Sequence, residues 1–413
     1  MNDQVLLDQV VLGYSAIVDP KRAVVATRIT LVPERPDVTI AGADLQQLLE
    51  PICPESGATL SLRLQPMAGT AKASPMAGVG LFVNVASESL LRSLLEAPPV
   101  PRFMIEVPAF VATDAAWTPA IQALHEGGGA LALKGQPREA LPAPLAACFA
   151  LQIDDGSGAT PARGSGPARV RSGVRSPQEL DAAFAGGAAA AAGWPFGDPP
   201  EKSAGKVSVA PELQVILELI NRVDREEHVD RLEAVLKNDP TLAFRLLRYI
   251  NSPGFGLSVE IGSFRHALMI LGYQRLKRWL ALLLASASKD ANMKPVMFAA
   301  VRRGLILEEL VRSSGDADLR GEIFICGVFS LLDRLLKQPF ADLLKSVPVP
   351  ERVQQALQDK AGPFAPYLDL VEAIENESAF DVREGAARVM LGISEVNRAV
   401  LAGLATASQL DGG

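Results

Sequence analysis

Short apolar runs alternate with amphipathic stretches through the first half of the chain. Five runs rich in aliphatic residues predict strands: AVVATRITLV, GLFVNVA, RFMIEVPAFV, GALALKG and FALQIDD. Between them, SESLLRSLLEA and DAAWTPAIQALHE predict helices, with Ser87 or Ser89 and Asp114 as N-caps. Regular alternation of strand and helix is typical of a parallel sheet with crossover helices, either open or closed into a barrel.

One crossover of this pattern is damaged, and the pattern then stops. After the strand that ends near Asp155, GSGATPARGSGP is too rich in Gly, Pro and Ser to form a helix and predicts a flexible loop. The stretch PFGDPPEKSAGKVSVAP (195–211) has few large apolar residues, which is typical of a seam between domains. We therefore expect domains at 1–200 and 211–405, joined by a linker at 201–210.

The second half has helical periodicity throughout. PELQVILELINRV carries an apolar stripe, and Asp239-Pro240 predicts an N-cap and first turn that end at NSPGFG. SFRHALMILGYQRLKRWLA predicts two helices that break at Gly272. The fold class expected is multidomain: an α/β first half followed by an all-α second half.

Composition favours a soluble protein in a reducing compartment. The three cysteines are far apart and form no CxxC pair, and the longest apolar run, WLALLLASA, is too short to span a membrane. The N-terminus has no basic region leading into an apolar stretch, so no signal peptide is predicted. We expect a cytoplasmic protein with no membrane partner. The net charge of −7 does not favour binding to a nucleic-acid backbone.

Motifs for common chemistries are absent from the sequence. The three histidines lack partners at ligand spacing, and no GxGxxG, GxxxxGK[ST] or GxSxG motif occurs, so no cofactor is expected. Asp154-Asp155 at a strand end is the one carboxylate pair placed like an active site. Because neighbouring strand residues face opposite ways, at most one of the two points into a pocket.

The first half resembles an EAL domain, the cyclic di-GMP phosphodiesterase domain built on a TIM-type (β/α) barrel. The similarity covers most of 10–200 in LGYSAIVDPKRAVVATRITL, LFVNVAS, FMIEVP and VRSGVRSPQELDAAFAGGAAAAAGWPFGDPP. This half is shorter than an intact domain, so the resemblance implies an incomplete or degenerate barrel.

The resemblance also implies that the metal site is degenerate. Asn84 and Glu106 match two metal-binding positions of the family. The glutamate that names the family falls at Arg28, the Asp-Asp pair falls near Lys134, and the catalytic lysine falls at Gln152. The remaining correspondences are Asp154, which retains a carboxylate, and Ser172, Arg175 and Ala192, which replace family carboxylates and a glutamine. Arg28 and Lys134 would repel Mg²⁺ and attract the remaining carboxylates, so neither a metal nor catalysis is expected.

The second half resembles an HDOD domain, a helical relative of metal-dependent HD and HD-GYP phosphohydrolases. The resemblance rests on LKNDPTLAFRLLRYINSPGFG, SFRHALMILGYQRLKRWLALLL and the sequence from Glu322 to Leu357. Where a true HD enzyme has its metal-binding His-Asp pair, this chain has Ser330-Leu331 within an apolar helix over 322–336. We expect Ser330 to bond the carbonyl four residues earlier and Asp333 to pair with a basic neighbour.

The two resemblances together imply a bacterial signal-transduction protein that is not an enzyme and acts as a scaffold for other signalling proteins. Two alternatives stay open: a cyclic di-GMP sensor without hydrolysis, and a nucleic-acid-binding regulator that uses 263–285. A homodimer also stays open. The candidates for partner binding are Asn251, Ser252, Pro253, Arg275, Lys277 and Arg278.

Overall fold

The computed structural model describes residues 3–36, 38–53, 79–154, 167–200, 211–237, 261–286, 290–345, 347 and 349–412. The chain forms two compact units. The barrel unit comprises Met1–Gly197 together with Glu372–Leu401, and the helical unit comprises Asp198–Val371 together with Ala402–Gly413. Each unit is thus built from two separate stretches of the chain.

Eight strands form a closed barrel in the order of the sequence. They are β1 (Val10–Val18), β2 (Val24–Pro33), β3 (Leu81–Val85), β4 (Phe103–Pro108), β5 (Ala130–Lys134), β6 (Phe149–Asp154), β7 (Ala168–Val174) and β8 (Ala190–Gly193). Neighbours from β2 to β8 are parallel, whereas β1 is antiparallel to both β2 and β8. A TIM barrel has eight parallel strands, so β1 departs from that pattern.

Side chains inside the barrel follow the two-residue period of its strands. The apolar cluster that fills the interior includes Ala26, Phe82, Met104 and Ala132, all buried. Two residues further along each of these strands the inward position is polar. The interior of the barrel therefore has an apolar layer and, above it, a polar layer.

The barrel unit also contains helices α1 (Asp3–Leu7), α2 (Gly42–Leu49), α3 (Glu88–Glu96), α4 (Ala109–Ala112), α5 (Thr118–Glu126), α6 (Ala143–Ala146) and α7 (Pro177–Ala185). The Ser87 hydroxyl accepts a hydrogen bond from the Leu90 amide, which confirms the predicted cap of α3. Asp114 caps a short 3₁₀ turn that leads into α5.

The second half is helical, as predicted. Its helices are α8 (Pro211–Asp224), α9 (Val229–Lys237), α10 (Phe264–Ser286), α11 (Lys294–Leu310), α12 (Ala317–Phe329), α13 (Leu332–Leu336), α14 (Phe340–Leu343), α15 (Glu351–Gln354), α16 (Ala365–Glu375), α17 (Ala379–Arg388) and α18 (Ile393–Gly412). The predicted break within α10 is confirmed, because Gly272 has φ 70° and ψ 171°, which is not helical.

Three details differ from the sequence analysis. The barrel is closed, and the described strands leave none of its eight positions empty. The expected helix over 322–336 ends at Phe329, and a separate helix begins at Leu332, so Ser330 and Leu331 lie at a break. Residues 372–401, which the expected boundary at 405 joined to the helical domain, cluster with the barrel. The loop predicted at 155–166 and the turn predicted at 251–254 lie outside the described residues.

No single described helix is long and apolar enough to cross a bilayer. The pair Ala379–Arg388 and Ile393–Gln409 passes by length and composition, but its two halves are bent by 105°.

Candidate functional site

The polar layer lies from the middle to the carboxyl-terminal ends of β2 to β5, with one member from β1. It consists of Ser15, Arg28, Thr30, Asn84, Glu106 and Lys134. The members lie on the same face of their strands as the inward apolar residues, at a spacing of two or four residues. Glu106 follows Met104 by two residues, and Lys134 follows Ala132 by two. In (β/α) barrels, the carboxyl-terminal end is where functional groups collect.

Arg28 stands at the centre of this layer. Its Nε and Nη2 donate to the two carboxylate oxygens of Glu106 at 2.6 and 2.8 Å, a bidentate pair. The side chain of Glu106 is fully buried and that of Arg28 is 10% exposed. Burial of the guanidinium opposes its charge, but the attraction of Glu106 and of a second carboxylate, Glu377, outweighs burial, so the pKa of Arg28 is raised. The residue at one of the family's metal-binding positions is thus held by a cation.

Arg28 has a second acidic partner that sequence reasoning missed. Its Nη1 donates to Glu377 Oε2 at 2.6 Å, and the same carboxylate accepts from Ser15 Oγ and Thr30 Oγ1, each at 2.7 Å. Although burial opposes ionisation, these donors lower the pKa of Glu377. Glu377 follows β2 by more than 300 residues, so local spacing gave no signal for this contact.

Lys134 and Asn84 complete the layer. Lys134 Nζ donates to Asn84 Oδ1 at 2.8 Å, and Asn84 Nδ2 donates to Thr30 Oγ1 at 3.0 Å. Burial is the main cause of a lowered pKa at Lys134, and Arg28 adds to it, while Glu106 and Glu377 oppose it. The layer with Glu377 therefore holds two cations and two carboxylates, and it carries no excess of negative charge.

The other predicted positions of the barrel lie outside this layer. Leu151 and Ile153 face the interior of the barrel. Because neighbouring strand residues face opposite ways, Gln152 and Asp154 face outward. Gln152 donates to the Gly135 carbonyl at 3.2 Å, and Asp154 pairs with Arg171 at 3.4 Å. The correspondence that placed Gln152 and Asp154 in the site is thus not matched by their orientation; a register irregularity between β5 and β6 occurs at Leu131/Ala132.

The positions on and after β7 are also separate. Ser172 donates to the Asp154 carbonyl at 3.0 Å and lines the cavity described below. Arg175 is exposed, and its backbone amide donates to Glu179 at the start of α7. Ala192 is buried in the apolar cluster.

A cavity of about 1030 Å³ opens above the polar layer, within the barrel unit. Its wall is mostly apolar, with Val85, Pro108 and Val111, and it includes Lys134 among a few polar groups. Among the described residues, no group of three or more His, Cys, Asp or Glu side chains is arranged to hold a metal.

Ser330 and Leu331 of the helical unit are buried where helices α11 and α12 cross. The crossing is close because two glycines meet there: a Cβ added at Gly327 would lie 2.7 Å from Gly304 Cα. Ser330 Oγ donates to the Gly327 carbonyl at 2.7 Å and accepts from Arg303 Nη1 at 3.0 Å. The bond therefore spans three residues, because the helix ends here, and not the four that we expected.

Asp333 is also satisfied locally. Both of its oxygens accept from Arg334 Nη1 at 3.0 Å, so the partner is the adjacent residue itself. Burial raises the pKa of Asp333 against the opposing effect of Arg334.

The candidate partner-binding residues do not form one described surface. Asn251, Ser252 and Pro253 lie outside the described residues. Lys277 is buried and paired with Asp224, and Arg278 forms a bidentate pair with Glu308 at 2.6 Å while it lies over the ring of Phe324. Of the three basic candidates Arg275, Lys277 and Arg278, Arg275 alone is exposed.

Comparison with known proteins gives a domain for the second half. Residues 210–344 match the HDOD domain family. The chain is 28% identical over 195 residues to the cyclic di-GMP phosphodiesterase CdgJ of Vibrio cholerae, which is 47% of this chain and 45% of that protein. It is also 28% identical over 168 residues to the uncharacterized protein YuxH of Bacillus subtilis, covering 39% and 40%. The chain thus spans less than half the length of these relatives.

One solved structure, a candidate phosphohydrolase from Shewanella amazonensis, is 19% identical and covers 48% of this chain and 93% of its own. Its TM-score is 0.36, and a similarity of that size supports no conclusion about the fold. The matched domain and the Vibrio relative connect this chain to signalling proteins.

Proposed function

We propose that the chain is a non-catalytic signal-transduction protein in which a degenerate EAL-type barrel and an HDOD domain serve as binding scaffolds for other signalling proteins. The observation that carries this proposal is the bidentate pair of Arg28 and Glu106 at the centre of the polar layer. Metal-assisted hydrolysis of a phosphodiester needs several carboxylates that converge on one or two cations.

Charge and geometry support the proposal together. A divalent cation at Glu106 would have to displace a guanidinium held by three charge-assisted hydrogen bonds, two to Glu106 and one to Glu377. It would also lie near the ammonium of Lys134. In the helical unit, the Ser330 hydroxyl is hydrogen-bonded to Arg303 and to the Gly327 carbonyl, and the side chain of Leu331 has no atom that could bind a metal.

The test is turnover of cyclic di-GMP by the full chain with Mg²⁺ or Mn²⁺, measured by chromatography of the products. The expected result is no product above the protein-free control. Product formation that disappears in the Glu106→Gln variant would refute the proposal, since Glu106 would then be acting as a metal ligand.

A second function is favoured by the cavity. Its volume of about 1030 Å³ is that of a small-molecule site, and Lys134 on its wall could contact a phosphate. We therefore keep a cyclic di-GMP sensor without hydrolysis as the alternative, supported by the activity named for the Vibrio relative. Saturable binding in equilibrium dialysis that weakens in Lys134→Met would favour it. The nucleic-acid alternative is not proposed, because Lys277 and Arg278 are held in ion pairs.

A further inference from the structure

A segment from the far end of the chain is built into the barrel unit. Residues 372–401, called here the C-terminal segment, contact the barrel through buried polar groups. Asn397 accepts from the Leu12 amide at 3.1 Å and donates to the carbonyls of Leu7 and Val10 at 2.8 and 2.6 Å. The Trp194 indole donates to the Glu375 carbonyl at 3.0 Å. These contacts fix the segment on β1 and beside β8.

Glu377 of this segment reaches the polar layer. Its carboxylate accepts from three donors on two strands: Ser15 Oγ, Arg28 Nη1 and Thr30 Oγ1, at 2.6–2.7 Å. We call these three side chains the cradle. Three donors around one carboxylate, one of them a guanidinium, make a site whose chemistry is that of an anion receptor.

The turn that ends α16 brings Glu377 to the barrel. Glu377 has φ 55°, the left-handed conformation in which many helices end, and the amides of Glu377 and Ser378 donate to the carbonyls of Ile374 and Ala373. Gly13 on β1 lies opposite, and a Cβ there would approach Glu377 Cα to 2.8 Å. Because Gly13 has no side chain, this turn can lie against β1, and the carboxylate of Glu377 reaches the cradle.

We propose that the cradle is a carboxylate-binding site that Glu377 fills in cis, so that the C-terminal segment supplies the bound carboxylate as a tethered ligand. This goes beyond the proposed function, because it assigns a ligand class and an occupant to the cradle whether or not the barrel hydrolyses anything. Any anion that enters the cradle must displace Glu377, and its binding is therefore linked to release of the segment.

The test is chemical rescue in the full chain. Glu377→Ala removes the carboxylate and leaves Arg28 paired with Glu106, so the protein keeps its central ion pair. We expect Tm of the barrel transition to fall by roughly 5–10 °C and to rise again saturably with acetate. Sodium chloride at equal ionic strength should not restore it, and wild type should not respond to acetate because its cradle is filled.

Two further variants keep the test falsifiable. Glu34→Ala removes the partner of Arg383 at 3.0 Å, a carboxylate of the same unit outside the cradle, and acetate should not rescue it. Ser15→Ala/Thr30→Val/Glu377→Ala lacks two of the three donors, and its half-maximal acetate concentration should rise at least about tenfold.

Hydrogen exchange gives an independent readout. In Glu377→Gln, which keeps the shape of the side chain and loses its charge, amide protection in 379–401 should fall at least about tenfold. The control is Asp154→Asn, whose partner Arg171 lies outside the segment, and it should leave the protection of the segment nearly unchanged. An unchanged Tm in Glu377→Ala, equal rescue of Glu34→Ala, or full protection in Glu377→Gln would overturn the proposal. None of these results depends on turnover or on binding of cyclic di-GMP.

Discussion

Removal of the Arg28 side-chain charge should destabilise the barrel unit more than removal of a surface ion pair does. In Arg28→Met the fully buried carboxylate of Glu106 loses both hydrogen bonds at 2.6 and 2.8 Å, and Glu377 loses one at 2.6 Å. A methionine fills most of the volume but offers no donor. The fully buried Glu106 is then left without its cation.

The magnitude follows from that isolation. Loss of one member of a buried pair costs about 3–5 kcal/mol, mainly because the remaining charge is desolvated without compensation. Arg28→Met/Glu106→Gln removes both charges and should cost less than the single variant, about 2 kcal/mol or below. Arg171→Met is the matched control: its partner Asp154 lies at 3.4 Å and Arg171 is 36% exposed, so about 0–1 kcal/mol is expected.

The destabilisation should depend on pH in a defined direction. Because the folded-state pKa of Glu377 lies below its ordinary value of 4.5, its stabilising contribution is present above that value and is lost as the pH falls through the folded-state pKa. Arg28 is the leading source of that lowering. The difference between wild type and Arg28→Met should therefore be largest near pH 7 and shrink towards about pH 4.

Urea unfolding followed by tryptophan fluorescence measures these values. Trp194 contacts Tyr14 with a ring-centroid distance of 5.4 Å, so its emission reports on the barrel. A cost below about 1 kcal/mol for Arg28→Met at pH 7, or a double variant less stable than the single one, would show that Glu106 does not depend on Arg28 for its stability in the barrel.

Two other predictions concern burial. Asn397→Ala should cost roughly 2–4 kcal/mol in the same assay, because Asn397 is fully buried and makes three hydrogen bonds to the backbone. The control Asn376→Ala, at an exposed position, should cost nearly nothing. Equal effects of the two substitutions would contradict the packing of this segment against the barrel. Burial raises the pKa of Cys326 to about 12, so an aromatic disulfide reagent at pH 8 should leave it unmodified until urea unfolds the helical unit, and rapid labelling of native Cys326 would contradict its burial.

Local patterns in the sequence were enough to predict five of the eight strands and several of the helices. Five strands and the caps of α3 and of the turn before α5 follow from period and composition, and Gly272 breaks α10 as its residue type indicates. The polyalanine strand β8 was missed, because alanine has little preference for strands and pairs there only through the closed barrel. The break at Ser330 was missed because the apolar pattern continues across it.

The candidate site shows a clearer limit. Arg28, Asn84, Glu106 and Lys134 were predicted, and the structure brings all four together. Gln152 was misplaced, because orientation on a strand changes with a single residue of register. Glu377 could not be found from spacing, since its contact with Arg28 joins positions 349 residues apart.

Titration of Mn²⁺ followed by electron paramagnetic resonance tests whether Arg28 excludes divalent metal from the polar layer. The full chain and its Glu106→Gln variant are titrated side by side, with free Mn²⁺ read from its aqueous signal. We expect the same free-ion curve for both proteins, with no stoichiometric site that depends on Glu106. One Mn²⁺ bound per wild-type chain at micromolar concentration, and lost in Glu106→Gln, would contradict it.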